Sequence, residues 1–180
     1  MNKIRLLFIS ILGCIKLTHA NQIDTIIDFD SDKYLGTWYE FARLPNSFER
    51  KCTLPITATY SVNPENQDQI IVTNQCNTKD NSPKIATGIA YLPKNSNLGK
   101  LKVTFLPKWL RWMPFAYADY WILYTDYDQV AVVATPNKKY LWILSRSNDL
   151  KSDILDKAIL IVKNQGFNID RMIFNYKTDQ

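Results

Sequence analysis

The sequence predicts an all-β fold, a closed, eight-stranded antiparallel up-and-down barrel with one C-terminal α-helix packed outside. Two observations carry that reading. Eight short alternating or β-branched runs follow one another, separated by Pro, Asn, Asp and Gly. From Asp149 to Gln165 the apolar period then changes from about two residues to about 3.6. Closure follows because an open meander would leave two unpaired edges.

The chain has 180 residues, 46% hydrophobic and 22% charged, enough for one domain with a sizeable core. No repeat, low-complexity tract or linker divides it. The formal charge of +5 overstates the basicity of the fold. Lys3, Arg5 and Lys16 have no acidic residue beside them, so the remainder carries 19 basic against 17 acidic residues. No later run of Lys and Arg forms a phosphate-binding stripe, which argues against nucleic acid as a partner.

The first twenty residues read as an export signal. Met1 to Arg5 is a short positive region, and Leu6 to Ile15 is an uncharged, mostly apolar run of ten. That is too short to span a bilayer. Two processing sites compete. Thr18-His19-Ala20 offers a cut that leaves 21–180 as the mature domain. Ile11-Leu12-Gly13-Cys14 resembles a lipobox, removing residues 1–13 and acylating Cys14, with Leu12 as its atypical member. The mainly polar stretch from Cys14 to Gly36 would then serve as a tether.

The single histidine, His19, falls in or beside this signal. The mature domain therefore has no imidazole for a nucleophile–base pair, a His metal site or a haem ligand. Neither a metal nor a cofactor is expected.

Within the domain, a turn at Gly36 leads into the first strand. Simple alternation there puts Trp38, Glu40 and Ala42 on one face and Tyr39, Phe41 and Arg43 on the other. Pro45 to Pro55 is a long polar connection. Thr57–Val62 and Ile70–Cys76 form a hairpin around a turn at Asn63 to Asp68. The remaining strands are Ile85–Leu92, Leu101–Phe105, Tyr117–Thr125, Val130–Thr135 and Tyr140–Arg146. Leu150, Ile154, Leu155, Ala158, Ile161 and Val162 then recur at helical spacing, with Gly166 as the stop. Met172-Ile173-Phe174 is a short final strand.

The hairpin brings Cys52 and Cys76 to the same end of the barrel, where an exported chain permits a disulfide. Two separate core thiols, or one reactive thiol, are the alternatives.

Gly36-x-Trp38, Thr125-Asp126-Tyr127 and Arg146, in this order, resemble the three signature blocks of the lipocalin family. The resemblance covers essentially the whole mature chain. It is most similar to the bacterial outer-membrane lipocalins and apolipoprotein D, through Tyr34–Glu40, Phe48-Glu49-Arg50, Thr57–Ser61, Asp119–Leu123 and Tyr140–Arg146. It implies that Trp38 and Arg146 pack together at a closed base. It also implies an exported protein that binds fatty acids or lysophospholipids, without catalysis.

Chain direction then puts Pro45–Pro55, Asn77–Pro83, Leu106–Ala116 and Pro136–Lys138 around an open mouth. Alternation and the resemblance together point Tyr60, Val72, Asn74, Val103, Phe105, Tyr120, Ile122 and Trp142 inward, with core packing below the cavity as the competing reading for each. Trp109, Arg111 and Trp112, in the loop Leu106 to Phe115, suit contact with lipid headgroups or a lid over an acyl chain. The bland reading tucks these aromatics into the rim. The expected location is the outer membrane as a lipoprotein facing the periplasm, or a soluble periplasmic or secreted form. Oligomeric state is open, a homodimer included. A rival function is a lipocalin-fold isomerase or redox enzyme acting on a lipid through Cys76, with Glu40 or a cavity Tyr as acid or base.

Overall fold

A computed structural model describes residues 23–176 other than Asn95. The export signal, both cleavage readings, His19 and Cys14 lie outside the described residues.

The element order is a one-turn helix α1 (Ser31–Tyr34), strands β1 (Gly36–Arg43), β2 (Cys52–Val62), β3 (Gln69–Thr78), β4 (Pro83–Tyr91), β5 (Lys100–Thr104), β6 (Ala118–Thr125), β7 (Val130–Ala134) and β8 (Leu141–Ser145), helix α2 (Ser152–Asn164), and a two-residue β9 (Ile173–Phe174). Each of β2 to β8 pairs with the next, β8 pairs with β1, and β1 returns to β2, closing the barrel. β9 adds to β1 at Ala42 and Arg43. The connections after β1, β3, β5 and β7 lie at one end, the mouth; those after β2, β4 and β6 lie at the base.

Two departures from simple alternation matter. A register shift between Glu40 and Ala42 in β1 turns the chain by one residue. Ala42 therefore joins Phe41 in the core outside the barrel wall, while Arg43 reaches the same side as Glu40. This corrects the face assignment made from period two. The second outgoing strand begins at Cys52 rather than Thr57, and its register shifts between Thr53 and Thr57. Pro55, which has no N–H to give a ladder, sits inside that irregularity.

β7 is buried along its whole length because both faces are covered. Val130, Val132 and Ala134 meet Leu155, Ala158 and Val162 of α2 on the outside, and Ala131 and Val133 face the barrel interior. α2 ends where Gly166 takes φ +74, with its N–H donating to the Lys163 carbonyl at 2.8 Å.

The stretch before Gly36 is packed, so the tether reading fails from Ile23 onward. Ile23, Phe29 and Tyr34 are buried. Ile26 donates to Ile122 O at 3.0 Å and accepts from Gly99 N at 2.9 Å, and Ile27 bridges to Leu98. These apolar residues follow no helical or strand period, and alternation alone could not place them.

Candidate ligand-binding site

The barrel is sealed at its base by the residues that the three signature blocks supply. Gly36 has φ +95, which favours glycine, and a Cβ there would also come within a tight 3.2 Å of Arg146 Nη1. Trp38 is fully buried, and its indole N–H donates to the Tyr34 carbonyl at 2.9 Å. The Arg146 guanidinium lies 3.8 Å above the Trp38 ring. It donates to the carbonyls of Tyr127 (3.0 Å), Thr37 (3.2 Å) and Lys33 (2.9 Å). Thr125 and Asp126 build the turn that presents the Tyr127 carbonyl. Thr125 Oγ1 accepts from Tyr127 N, and Asp126 Oδ1 accepts from Gln129 N and Val130 N, each at 2.9 Å. Tyr127 takes φ +67 within that turn.

Above this seal a cavity of about 710 Å³, with mainly apolar walls, opens toward the mouth. Sites that enclose a small amphiphile are typically ~300–1,000 Å³. Tyr60, Val72, Asn74, Val103, Phe105, Tyr120 and Trp142 all line it. Ile122 does not; it is fully buried in the cluster around Trp38, beneath the cavity. At the floor the Tyr60 and Tyr120 hydroxyls are 2.6 Å apart, and the Tyr34 hydroxyl lies 3.4 Å from that of Tyr120. Burial pushes all three phenols up, Tyr60 to about 12, so they stay protonated and satisfy one another.

One wall carries charge. Glu40 and Glu49 line the cavity, and Arg43 Nε lies 2.9 Å from Glu40 Oε1 and 2.8 Å from Glu49 Oε2. Asn175 Nδ2 also donates to Glu40 Oε1 at 2.8 Å, and the Trp142 indole donates to Glu49 Oε1 at 3.2 Å. Burial, and then the neighbouring Glu49 carboxylate, push Glu40 up to about 8 despite Arg43 and Asn175. Sequence alternation missed this cluster, because only the register shift in β1 brings Glu40 and Arg43 together. Phe48 packs against Tyr140 and Trp142, with ring centroids 5.4 Å and 6.2 Å away, and forms the rim beside it.

In the loop between β5 and β6, Trp109 and Trp112 are 72% and 80% exposed, so they do not tuck into the rim. Neither lines the cavity, whereas Phe115 does. Arg111 Nε donates to the Leu106 carbonyl at 2.9 Å and steadies the loop.

Cys52 and Cys76 form a disulfide with Cα atoms 5.5 Å apart, joining the mouth ends of β2 and β3. The Cys76 enzyme reading thereby loses its free thiol. Of its acid–base candidates, Glu40 is held by Arg43 and Asn175, and burial keeps the cavity phenols of Tyr60 and Tyr120 protonated.

Comparison with known proteins agrees with this architecture. Residues 29–177 match the model of the lipocalin-like domain. The outer membrane lipoprotein Blc of Vibrio cholerae is 37% identical over 179 residues, covering 97% of this chain and 98% of that protein. Apolipoprotein D of Mus musculus is 33% identical, covering 81% of this chain and 75% of that protein. Insecticyanin of the tobacco hornworm Manduca sexta is 22% identical but superposes with a TM-score of 0.66, covering 87% of this chain and 89% of that one. The chain belongs to the lipocalin family.

Proposed function

We propose that this protein binds a single-chain amphiphile, a fatty acid or a lysophospholipid, and carries or stores it at the bacterial envelope. The observation that carries the reading is the cavity of about 710 Å³, apolar along its walls, sealed at the base and open at the mouth. An acyl chain of about fifteen methylenes buried there gains on the order of 12 kcal/mol before costs, at ~0.8 kcal/mol each. Lost freedom and headgroup desolvation offset several kcal/mol of that, leaving micromolar to nanomolar affinity. The headgroup end meets Glu49, Trp142 and Lys84, the last donating to the Phe48 carbonyl at 2.5 Å.

Similarity to proteins named outer membrane lipoprotein supports an envelope location, with Cys14 as the acylated residue of an anchored, periplasm-facing form. Cleavage after Ala20 would release a soluble form instead. Among the described residues no helix is long and apolar enough to cross a membrane.

Native mass spectrometry of the mature protein purified without detergent, followed by lipid analysis of the denatured sample, tests the assignment. A stoichiometric acyl lipid is expected. A barrel that arrives empty and ignores added oleate and lysophosphatidylethanolamine would overturn it.

A further inference from the structure

We propose that the mouth end of the barrel is a docking face for an anionic lipid surface, so that the cavity opens onto the membrane. The inference does not depend on which lipid the cavity holds. Three independent features lead to it.

The first is apolar. Trp109, Trp112 and Phe115, each more than 70% exposed, stand together on the loop between β5 and β6. Indole rings that cannot reach the protein core suit the interfacial zone of a bilayer, where an apolar body and a polar N–H are both satisfied.

The second is charge. Each of the four mouth connections, with the strand residues beside it, brings two cations, from Arg50 and Lys51 in the first to Lys138 and Lys139 in the last. Against these eight stand three acids, Asp80, Glu49 and Asp119; Glu49 is turned inward onto Arg43, and Asp119 pairs with Lys102 at 2.8 Å. The base has the opposite balance. In segments 28–33, 63–68, 92–99, 126–129 and 146–151, acids outnumber bases eight to four. A near-neutral chain is thus polarised end to end, with its positive pole around the cavity opening. An anionic surface attracts that pole and repels the other.

The third is where the chain enters the fold. Asp24 N–H donates to the Gln165 side chain at 2.9 Å. Gln165 precedes Gly166, which lies against Lys138 of the last mouth connection. The described chain therefore starts on the mouth half of the barrel. Eight residues, 15–22, separate Ile23 from Cys14, a reach of about 30 Å at full extension. The 11-residue strand β2 is itself about 35 Å long. An acyl anchor on Cys14 thus permits mouth-first contact easily, while a base-first posture would take up nearly all of that reach.

The test reads depth rather than mere association, because an acyl anchor would hold the protein on any vesicle. Tryptophan emission of the mature protein is titrated with vesicles of phosphatidylglycerol carrying brominated acyl chains, and with brominated phosphatidylcholine vesicles. Quenching is expected on the anionic vesicles and is expected to vanish in Trp109→Phe/Trp112→Phe, which keeps the aromatic loop but removes its indoles. In Lys79→Gln/Lys139→Gln the ratio of docked to undocked protein at saturating vesicles, read from the fraction of loop emission quenched, should fall about 30-fold, from about fivefold per lost cation. Glu65→Gln/Asp68→Gln at the base should leave it unchanged. Quenching that persists in the double Phe variant, or that responds equally to the base pair, would overturn the proposal. So would vesicles that never quench while Trp109→Ser/Trp112→Ser turns a dimer into monomers by sedimentation, since the loop would then face a second copy. Near-UV circular dichroism and retained acyl lipid, measured on each variant, separate misfolding and loss of the cavity ligand from loss of docking.

Discussion

Arg146 lies 3.8 Å over the Trp38 ring while donating to three backbone carbonyls from three different segments of the chain. One side chain thereby ties α1, β1 and the β6–β7 turn to the end of β8. Arg146→Ala should destabilise the protein by about 3 kcal/mol, combining the cation–π contact with charge-assisted hydrogen bonds. Arg146→Lys should recover only a minority of this, because an ammonium cannot address three carbonyls in the guanidinium plane. Urea unfolding followed by far-UV circular dichroism measures both variants. Equal stability of Lys and wild type would contradict the geometry.

The Cys52–Cys76 bond closes a sequence separation of 24 residues. Reduction, or Cys52→Ser/Cys76→Ser, should cost about 3 kcal/mol through the larger freedom of the unfolded chain. Thermal unfolding with and without reductant gives the size. Thiol titration of the denatured, unreduced protein should find neither residue free.

Glu40 makes stability depend on pH. Its carboxyl is raised from 4.5 to about 8 in the fold, so between those values the native state holds a proton that the unfolded chain has released. The contribution of this group is therefore greatest below about pH 4.5, declines as pH rises to about 8, and is flat above. The slope in that window is at most about 1.4 kcal/mol per pH unit. Glu40→Gln, which retains a side-chain oxygen for Asn175, should remove the decline and be the more stable protein at pH 9. Chemical denaturation from pH 4 to 9 decides it; a Gln variant that keeps the slope would assign the titration elsewhere.

Filling the cavity should separate binding from folding. Val103 packs against the edge of the base cluster and also lines the open cavity, so a Val103→Trp side chain can extend into that space. Displacing about three methylenes of a bound chain at ~0.8 kcal/mol each weakens acyl-lipid affinity about fiftyfold. Competition with a fluorescent fatty acid reads the loss, and an unchanged unfolding midpoint shows that the fold survives.

The barrel and its helix were legible because period two and period 3.6 are written plainly in segments such as Leu101 to Phe105 and Leu150 to Val162. Less visible were the features that depend on one residue out of step. The shift between Glu40 and Ala42 moves Arg43 across the sheet and creates the charged wall, and no local signal marks it. Pro55 concealed the start of β2, since a proline inside a paired strand is tolerated only at an irregularity. Ile122 packs in the core cluster around Trp38 and does not line the cavity, because depth along a strand is set by closure and not by alternation. Residues 23–35 belong to a stretch whose mainly polar composition suggests a tether, and their apolar side chains have no period to contradict it. They pack all the same, from Ile23 in the cluster that includes α2, through Ile26 bonded to Ile122 and Gly99, to Phe29 and Tyr34 in the cluster at the base.

The three phenols at the cavity floor give the barrel a fixed depth. Tyr60 and Tyr120 close the lower end with their hydroxyls engaged to each other, and Tyr34 lies behind them. A tail that enters methyl-first stops on ring faces that neither recede nor take up water. For the acyl ligand proposed above, the expected outcome is a gauge of length: affinity should climb with each added carbon until the tail touches bottom, and level off once further carbons protrude from the mouth.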